Sequence, residues 1–192
     1  MRWFLQFISI LLLIMAIRYI LPDGRRFYDR QYGNHAYSYV LSKLSNWGQI
    51  PFTFIVFFQL IFKFNKNTPY LLALYLLNWF ILIFGTIGTI MNSEKIKSEY
   101  DVENYFIFLI TAVHLVFILP LVYWIPYKNK RISTSTLTKT TAYLVGYVSL
   151  YLYYVKDRDF QDLYPGFPVY TYGTIGILMY VVMLNQRISS VI

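Results

Sequence analysis

A single histidine inside a long apolar segment is the residue best placed to do chemistry. His114 lies in the segment YFIFLITAVHLVFILP, residues 105–120, which has the composition of a membrane span. Ionisable groups inside a bilayer are costly and are therefore candidates for function. Because imidazole titrates near neutral pH, it can be uncharged in such a place and still accept a proton. We therefore expect His114 to carry acid–base chemistry.

A stripe of polar side chains offers groups on which such a base could act. Its members are spaced by three or four residues: Ser42, Ser45, Asn46 and Gln49. A helix places residues at this spacing on one face, which should point to protein or water rather than to lipid. One interpretation is hydrogen bonding between helices, worth about 1 kcal/mol for each residue. The other is that a hydroxyl meets His114, which removes its proton and creates a nucleophile.

Depth bears on which of these groups can meet. At 1.5 Å per helical residue, His114 lies about 14 Å below residue 105, and Ser42 lies about 8 Å below residue 37. Asn46 and Gln49 are nearer to the depth of the histidine and could orient its ring. The distance between Ser42 and His114 stays open.

The composition is that of an integral membrane protein. The chain is 57% hydrophobic and 21% aromatic, and its mean hydropathy is +0.46. These values exceed those of soluble domains, and a span needs about 20 apolar residues. Six windows qualify as spans, at 3–21, 37–62, 70–91, 105–125, 141–155 and 169–184. The sequence predicts an all-α fold in which residues 1–192 form one polytopic six-span bundle. Gly85-Thr-Ile-Gly88, within the third window, should allow close helix packing.

The charges are segregated between the two ends of this predicted bundle. An even number of spans places both termini on one side with the connections 63–69 and 126–139, which contain basic residues and no acid. The nine acidic residues all fall on the other side: Asp23, Asp29, Glu94, Glu99, Asp101, Glu103, Asp157, Asp159 and Asp162. We expect cytosolic termini and a location in the endoplasmic reticulum or the plasma membrane.

Charge and residue usage also restrict the partners. The net charge of +8 comes from basic residues that flank spans, so anionic lipid headgroups are the expected partner and nucleic acid is not. The sequence contains no cysteine, which excludes disulfides, thiolate metal sites and a cysteine nucleophile. The acids in 91–103 lack the spacing of calcium ligands, so we expect neither a metal nor a cofactor. Protein partners stay unknown.

Four groups of residues resemble the androgen-induced protein 1 family (AIG1/FAR-17a) and its bacterial Pr6Pr-type relatives. They run through most of the chain: Ser42-Lys-Leu-Ser45-Asn46, His114 with Pro120, the segment GYVSLYLYY at 146–154, and Tyr164-Pro165-Gly-Phe167. The resemblance implies six membrane helices with cytosolic termini. In characterised members it also implies an intramembrane threonine hydrolase that cleaves fatty-acid esters of hydroxy fatty acids.

The resemblance places the family histidine on His114 and the family threonine on Ser42. Serine at that position is a departure, although it keeps a hydroxyl group. The implied reaction is acyl transfer, in which Ser42 attacks the ester and His114 acts as base and then as acid. Asn46 or Thr111 would orient His114 or support the oxyanion, while Ser45 and Gln49 would contact substrate. The alternative is a non-enzymatic membrane protein, either an assembly subunit or a small transporter, with His114 as a buried hydrogen-bonding residue.

Overall fold

A computed structural model describes residues 43–62, 65, 67–116, 118–123 and 131–157, together with Phe4, Phe7 and Leu11. Within these residues the regular structure is entirely helical and contains no strand, so the predicted all-α fold is confirmed for this part of the chain. The helices are α1 (Leu44–Ile61), α2 (Pro69–Phe80), α3 (Thr86–Met91), α4 (Ser93–Tyr100), α5 (Asn104–Val116), α6 (Ile118–Tyr123) and α7 (Thr134–Tyr154). A π-helical turn, Ile81–Gly85, joins α2 to α3.

Successive long helices alternate in direction around α2. Gly48 of α1 contacts Asn78, and four residues later the ring of Phe52 packs against Tyr75, so α1 and α2 are antiparallel. His114 of α5 lies against Gly85. Leu121 of α6, seven residues further on, joins the core cluster at the start of α2, so this segment is also antiparallel to α2.

Aromatic contacts fix the direction of α7. Trp47, near the start of α1, meets the rings of Tyr151 and Tyr154 near the end of α7 at centroid distances of 5.8 and 5.9 Å. Tyr70, at the start of α2, meets the ring of Tyr143 in the first half of α7 at a centroid distance of 5.8 Å. Helix α7 is therefore antiparallel to α1 and parallel to α2.

The predicted windows at 37–62, 70–91, 105–125 and 141–155 each coincide with a helical segment, but α7 begins seven residues before its window. The sequence before residue 141 is rich in Ser and Thr and looks like a polar connection. Ser133 caps the helix by accepting a bond from the Thr136 amide at 3.1 Å. Thr138 and Thr140 donate to carbonyls one turn earlier, which satisfies their hydroxyl groups inside the helix. The windows 3–21 and 169–184 lie outside the described residues, apart from Phe4, Phe7 and Leu11, which are helical and exposed.

One helical stretch among the described residues is long and apolar enough to cross a membrane. It runs continuously over Pro69–Met91, 23 residues with a mean hydropathy of 2.0. At 1.5 Å per residue it is about 34 Å long, comparable to the hydrocarbon thickness of a bilayer. Its most apolar window is 72% buried, and the core helix of a soluble protein meets the same criteria. This stretch is the central helix of the described bundle.

The connection between α3 and α5, predicted as an acidic loop, contains helix α4. Asp101 ends α4 in the left-handed conformation, with φ of 50°. The Lys97 ammonium contacts Glu94 Oε1 at 2.6 Å and donates to Asn104 Oδ1 at 2.8 Å, which ties α4 to the start of α5. Among the described residues, the acids all lie at this end of the bundle or just after α7, as the charge pattern predicts.

Two side chains from neighbouring helices donate hydrogen bonds to the α1 backbone, and one of them replaces a bond that a proline removes. Pro51 has no amide hydrogen, so the Trp47 carbonyl loses its usual helical partner. The Tyr147 hydroxyl of α7 donates to that carbonyl at 2.7 Å. Asn78 of α2 donates through Nδ2 to the Gly48 carbonyl at 3.0 Å. Gly48 permits this approach, since a Cβ there would lie 2.6 Å from Ile81 Cδ1.

We predict that Tyr147→Phe lowers the free energy of unfolding by about 1–3 kcal/mol, because it leaves the Trp47 carbonyl unpaired. In a Pro51→Ala background the restored amide can bond the same carbonyl, so Tyr147→Phe should cost much less. Tyr143→Phe is the control, since it removes a hydroxyl from a ring that is 50% exposed on the same helix. Thermal unfolding of the purified single and double variants measures the cost of Tyr147→Phe in the two backgrounds. An equal cost of Tyr147→Phe in both backgrounds would contradict the assignment.

Candidate functional site

The backbone of its own helix orients the His114 imidazole. Its side chain is buried, with 9% exposure, and Nδ1 lies 2.8 Å from the Ile110 carbonyl oxygen one turn earlier in α5. A carbonyl oxygen only accepts hydrogen bonds, so Nδ1 carries the hydrogen. In the neutral ring the lone pair is therefore on Nε2. His114 is held in the tautomer in which Nε2 can accept a proton.

The nitrogen with the lone pair lies beside a glycine. A Cβ built on Gly85 would be 3.5 Å from Nε2 of His114 and 3.6 Å from Cδ2 of the same ring. The Gly85 backbone is also bonded within its own helical stretch, because the Thr89 hydroxyl donates to the Gly85 carbonyl at 2.7 Å. The distances from the Gly85 Cβ position to the His114 ring are ordinary van der Waals distances, so the prediction that the Gly85–Gly88 motif serves close helix packing stays a prediction.

The π-helical turn determines which residues face α5. Before it, α2 buries eight consecutive residues, 71–78, all around its circumference. After it, α3 buries Thr86, Gly88 and Thr89, whereas Ile87 and Ile90 are exposed. A π-turn inserts one residue into the helical repeat and rotates the remainder of the helix about its axis. The turn thereby sets the face of α3 on which these small residues are buried.

The polar stripe of α1 is buried inside the protein, as predicted for the described members. Asn46 and Gln49 are buried and Ser45 is partly buried. The Thr53 hydroxyl extends the stripe by one turn and donates to the Gln49 carbonyl at 2.7 Å. Ser42 lies outside the described residues, so its predicted approach to His114 stays a prediction.

Three buried oxygen atoms, one each on α1, α2 and α3, have no hydrogen-bond partner among the described residues. They are Gln49 Oε1, Asn78 Oδ1 and Thr86 Oγ1. A buried polar atom without a partner usually costs about 1–3 kcal/mol. Their retention in an otherwise apolar interior makes each of them a candidate contact for a polar ligand.

The remaining site residues are only partly tested by the geometry. Thr111 is partly buried on α5, three residues before His114, but the contact that orients the ring comes from the Ile110 carbonyl. The roles predicted for Asn46 and Thr111 stay predictions. The sequence did not indicate that Gly85 contacts the His114 ring, or that the next residue, Thr86, has a buried hydroxyl without a partner among the described residues. The small residues Gly85 and Gly88 in an apolar window indicated helix packing alone.

Comparison of the chain with protein-family models, with curated proteins and with solved structures gave no match. The resemblance to the androgen-induced protein 1 family therefore rests on the motifs themselves. Of those motifs, His114 and residues 146–154 lie among the described residues, whereas Ser42 and Tyr164-Pro165 do not. Within the described residues, no group of three His, Asp or Glu side chains is arranged to hold a metal ion.

We predict opposite effects of two buried amide substitutions on stability. Asn78→Leu should lower the free energy of unfolding by about 2 kcal/mol, because its Nδ2 bonds to the Gly48 and Leu74 carbonyls would be lost. Gln49→Met should leave it unchanged or raise it, because it removes a buried oxygen that no described group satisfies. Thermal unfolding of the two purified variants compares these changes in the free energy of unfolding. A Gln49→Met cost equal to that of Asn78→Leu would instead identify Gln49 as an interhelical hydrogen-bonding residue.

Proposed function

We propose that the chain is a polytopic membrane protein with six spans and cytosolic termini, located in the endoplasmic reticulum or the plasma membrane. The alternating directions of the described helices and the collection of acids at one end support this arrangement. Apolar side chains on the outer faces of three helices are also exposed: Phe54 and Phe58 on α1, Phe108 and Leu115 on α5, and Val145 and Leu152 on α7. Surfaces of this kind mark contact with lipid or with another protein.

Within the membrane, we propose that the protein hydrolyses lipid esters, with His114 as general base and Ser42 as nucleophile. One observation carries this proposal: the bond from Nδ1 to the Ile110 carbonyl fixes the tautomer and leaves Nε2 as the proton acceptor. A base that activates a hydroxyl group needs a third group that orients its ring in this way. Here a backbone carbonyl replaces the side chain that usually does so.

The register of the helices supports Ser42 as the partner of this base. Helix α1 begins at Leu44, two residues after Ser42. Gly48 is level with Asn78, and α1 and α2 are antiparallel. Residues 43–47, which follow Ser42 directly, therefore run from the level of Gly85 and His114 toward Gly48, and this supports Ser42 as the nucleophile.

The reaction would proceed in two acyl transfers. The Ser42 hydroxyl attacks the ester carbonyl and its proton passes to Nε2, which then protonates the departing alcohol as the carbon–oxygen bond breaks. Water repeats the sequence on the acyl-serine and releases the fatty acid. The Asn46 amide is the polar group proposed to support the oxyanion. The resemblance suggests fatty-acid esters of hydroxy fatty acids as substrates, which would enter sideways from the lipid.

A non-enzymatic subunit is the second candidate, and one surface favours it. The outer face of α7 exposes Tyr143, Leu150 and Tyr153 in addition to Val145 and Leu152. Aromatic residues are enriched in the cores of protein interfaces. In that case His114 would serve only as a buried residue that bonds to its own helix.

The decisive activity test is hydrolysis of a fatty-acid ester of a hydroxy fatty acid by the protein purified in lipid nanodiscs. We predict that His114→Ala lowers the rate by about 100-fold or more, because the general base is removed. The fold should persist, since alanine suits a helix. Leu115→Ala, at the exposed neighbouring position, is the matched control. A folded His114→Ala protein with the parent's rate would refute the catalytic role.

The nucleophile is tested in the same assay with three serine variants. Ser42→Ala should abolish hydrolysis and labelling by a lipophilic fluorophosphonate, whereas Ser42→Thr should keep partial activity, because its added methyl group restricts the side-chain rotamer. Ser149→Ala is the control, because it removes an exposed serine hydroxyl on α7. Hydrolysis by Ser42→Ala at the parent's rate would exclude Ser42 as nucleophile.

A further inference from the structure

Gly85 is not required by the local backbone. Its φ of −63° and ψ of −45° are ordinary helical values that any residue adopts. Glycine inside a helix costs about 1 kcal/mol relative to alanine. The backbone conformation therefore does not explain why glycine occupies this position.

Packing does not require Gly85 either, and two other glycines show the difference. At Gly48 a Cβ would lie 2.6 Å from Ile81 Cδ1, so close packing of α1 on α2 explains that glycine. At Gly146 no described atom would lie within 4 Å of a Cβ. At Gly85 the nearest atoms would be at 3.5, 3.6 and 3.9 Å, which are ordinary van der Waals distances, so a methyl group fits there. That methyl group would lie against Nε2 of His114.

The neighbouring threonine departs from the pattern of the other buried helical threonines. Thr53, Thr89 and Thr140 each donate their hydroxyl to the carbonyl four residues earlier, at 2.7–2.8 Å. Thr86 is more than nine-tenths buried, yet its hydroxyl has no hydrogen-bond partner among the described residues. This residue comes directly after the π-turn, next to Gly85.

We propose that Gly85 keeps the space beside Nε2 open for a small hydroxyl ligand, and that Thr86 supplies a second polar contact to it. The ligand class is water or an alcohol that donates a hydrogen bond to Nε2. This inference rests on the proposed hydrolase function and assigns the position of the water that completes the reaction. The water oxygen attacks the acyl carbon of the acyl-serine while its proton passes to Nε2. The protonated imidazole then protonates Ser42 Oγ as the bond from that oxygen to the acyl carbon breaks.

The test compares Gly85→Ala with Gly146→Ala and uses two independent measurements. The first is exchange of the His114 Cε1 hydrogen in D2O, followed by mass spectrometry with His35 of the same molecule as reference. This exchange requires water at the ring and needs no substrate. The second is the rate of ester hydrolysis. Thermal unfolding of both variants shows whether they are folded.

We expect Gly85→Ala to be at least as stable as the parent, because the methyl group fits and alanine favours the helix. The exchange rate at His114 and the hydrolysis rate should both fall by about tenfold or more, since the ligand atom is displaced from Nε2. Gly146→Ala should change neither rate.

The outcomes separate this inference from the proposed function. A folded Gly85→Ala protein with the parent's exchange rate overturns the inference, even if the parent hydrolyses esters. An exchange rate that depends on Gly85 in a parent that hydrolyses nothing supports the water site and removes the hydrolase function. Failure of Gly85→Ala to fold contradicts the steric fit and also overturns the inference.

Discussion

The described bundle depends on satisfying backbone carbonyls in an apolar interior. Without water, every carbonyl that loses its helical partner must find another donor. Pro51 removes the amide that would pair with the Trp47 carbonyl, and the donor that compensates is the Tyr147 hydroxyl of α7. This bond ties α1 to α7. The separate bond from Asn78 of α2 to the Gly48 carbonyl ties α1 to the central helix.

The central helical stretch, Pro69–Met91, contains both Asn78, which bonds to α1, and Gly85 at the candidate site. Because α2 is buried around its whole circumference, its position is set by contacts on all sides. The π-turn at Ile81–Gly85 then changes which face of the continuing helix meets α5. This change brings Gly85, instead of a bulky side chain, next to His114. A local irregularity in hydrogen bonding thus ends at the residue that contacts the imidazole.

The sequence was sufficient for the parts of the fold that depend on hydrophobicity. It predicted the all-α class and the helices within windows 37–62, 70–91, 105–125 and 141–155, and it singled out His114 and the buried residues Asn46 and Gln49. It did not predict the start of α7, because threonines that bond to their own helix look like a polar connection. The sequence also did not indicate the π-turn. A helix that is apolar on all sides has no hydrophobic periodicity that an extra residue could interrupt. Consequently the sequence could identify the histidine but not Gly85 beside it.

The proposed chemistry depends on the protonation of one ring. Nitrogen NMR of protein labelled with ¹⁵N-histidine, with His114 assigned by comparison with His114→Ala, observes both imidazole nitrogens directly. Near neutral pH the structure predicts a neutral ring with hydrogen on Nδ1 and a bare Nε2, as the bond to the Ile110 carbonyl requires. A ring protonated on Nε2 alone, or on both nitrogens, would leave no acceptor facing Gly85 and would contradict the assignment of His114 as a general base.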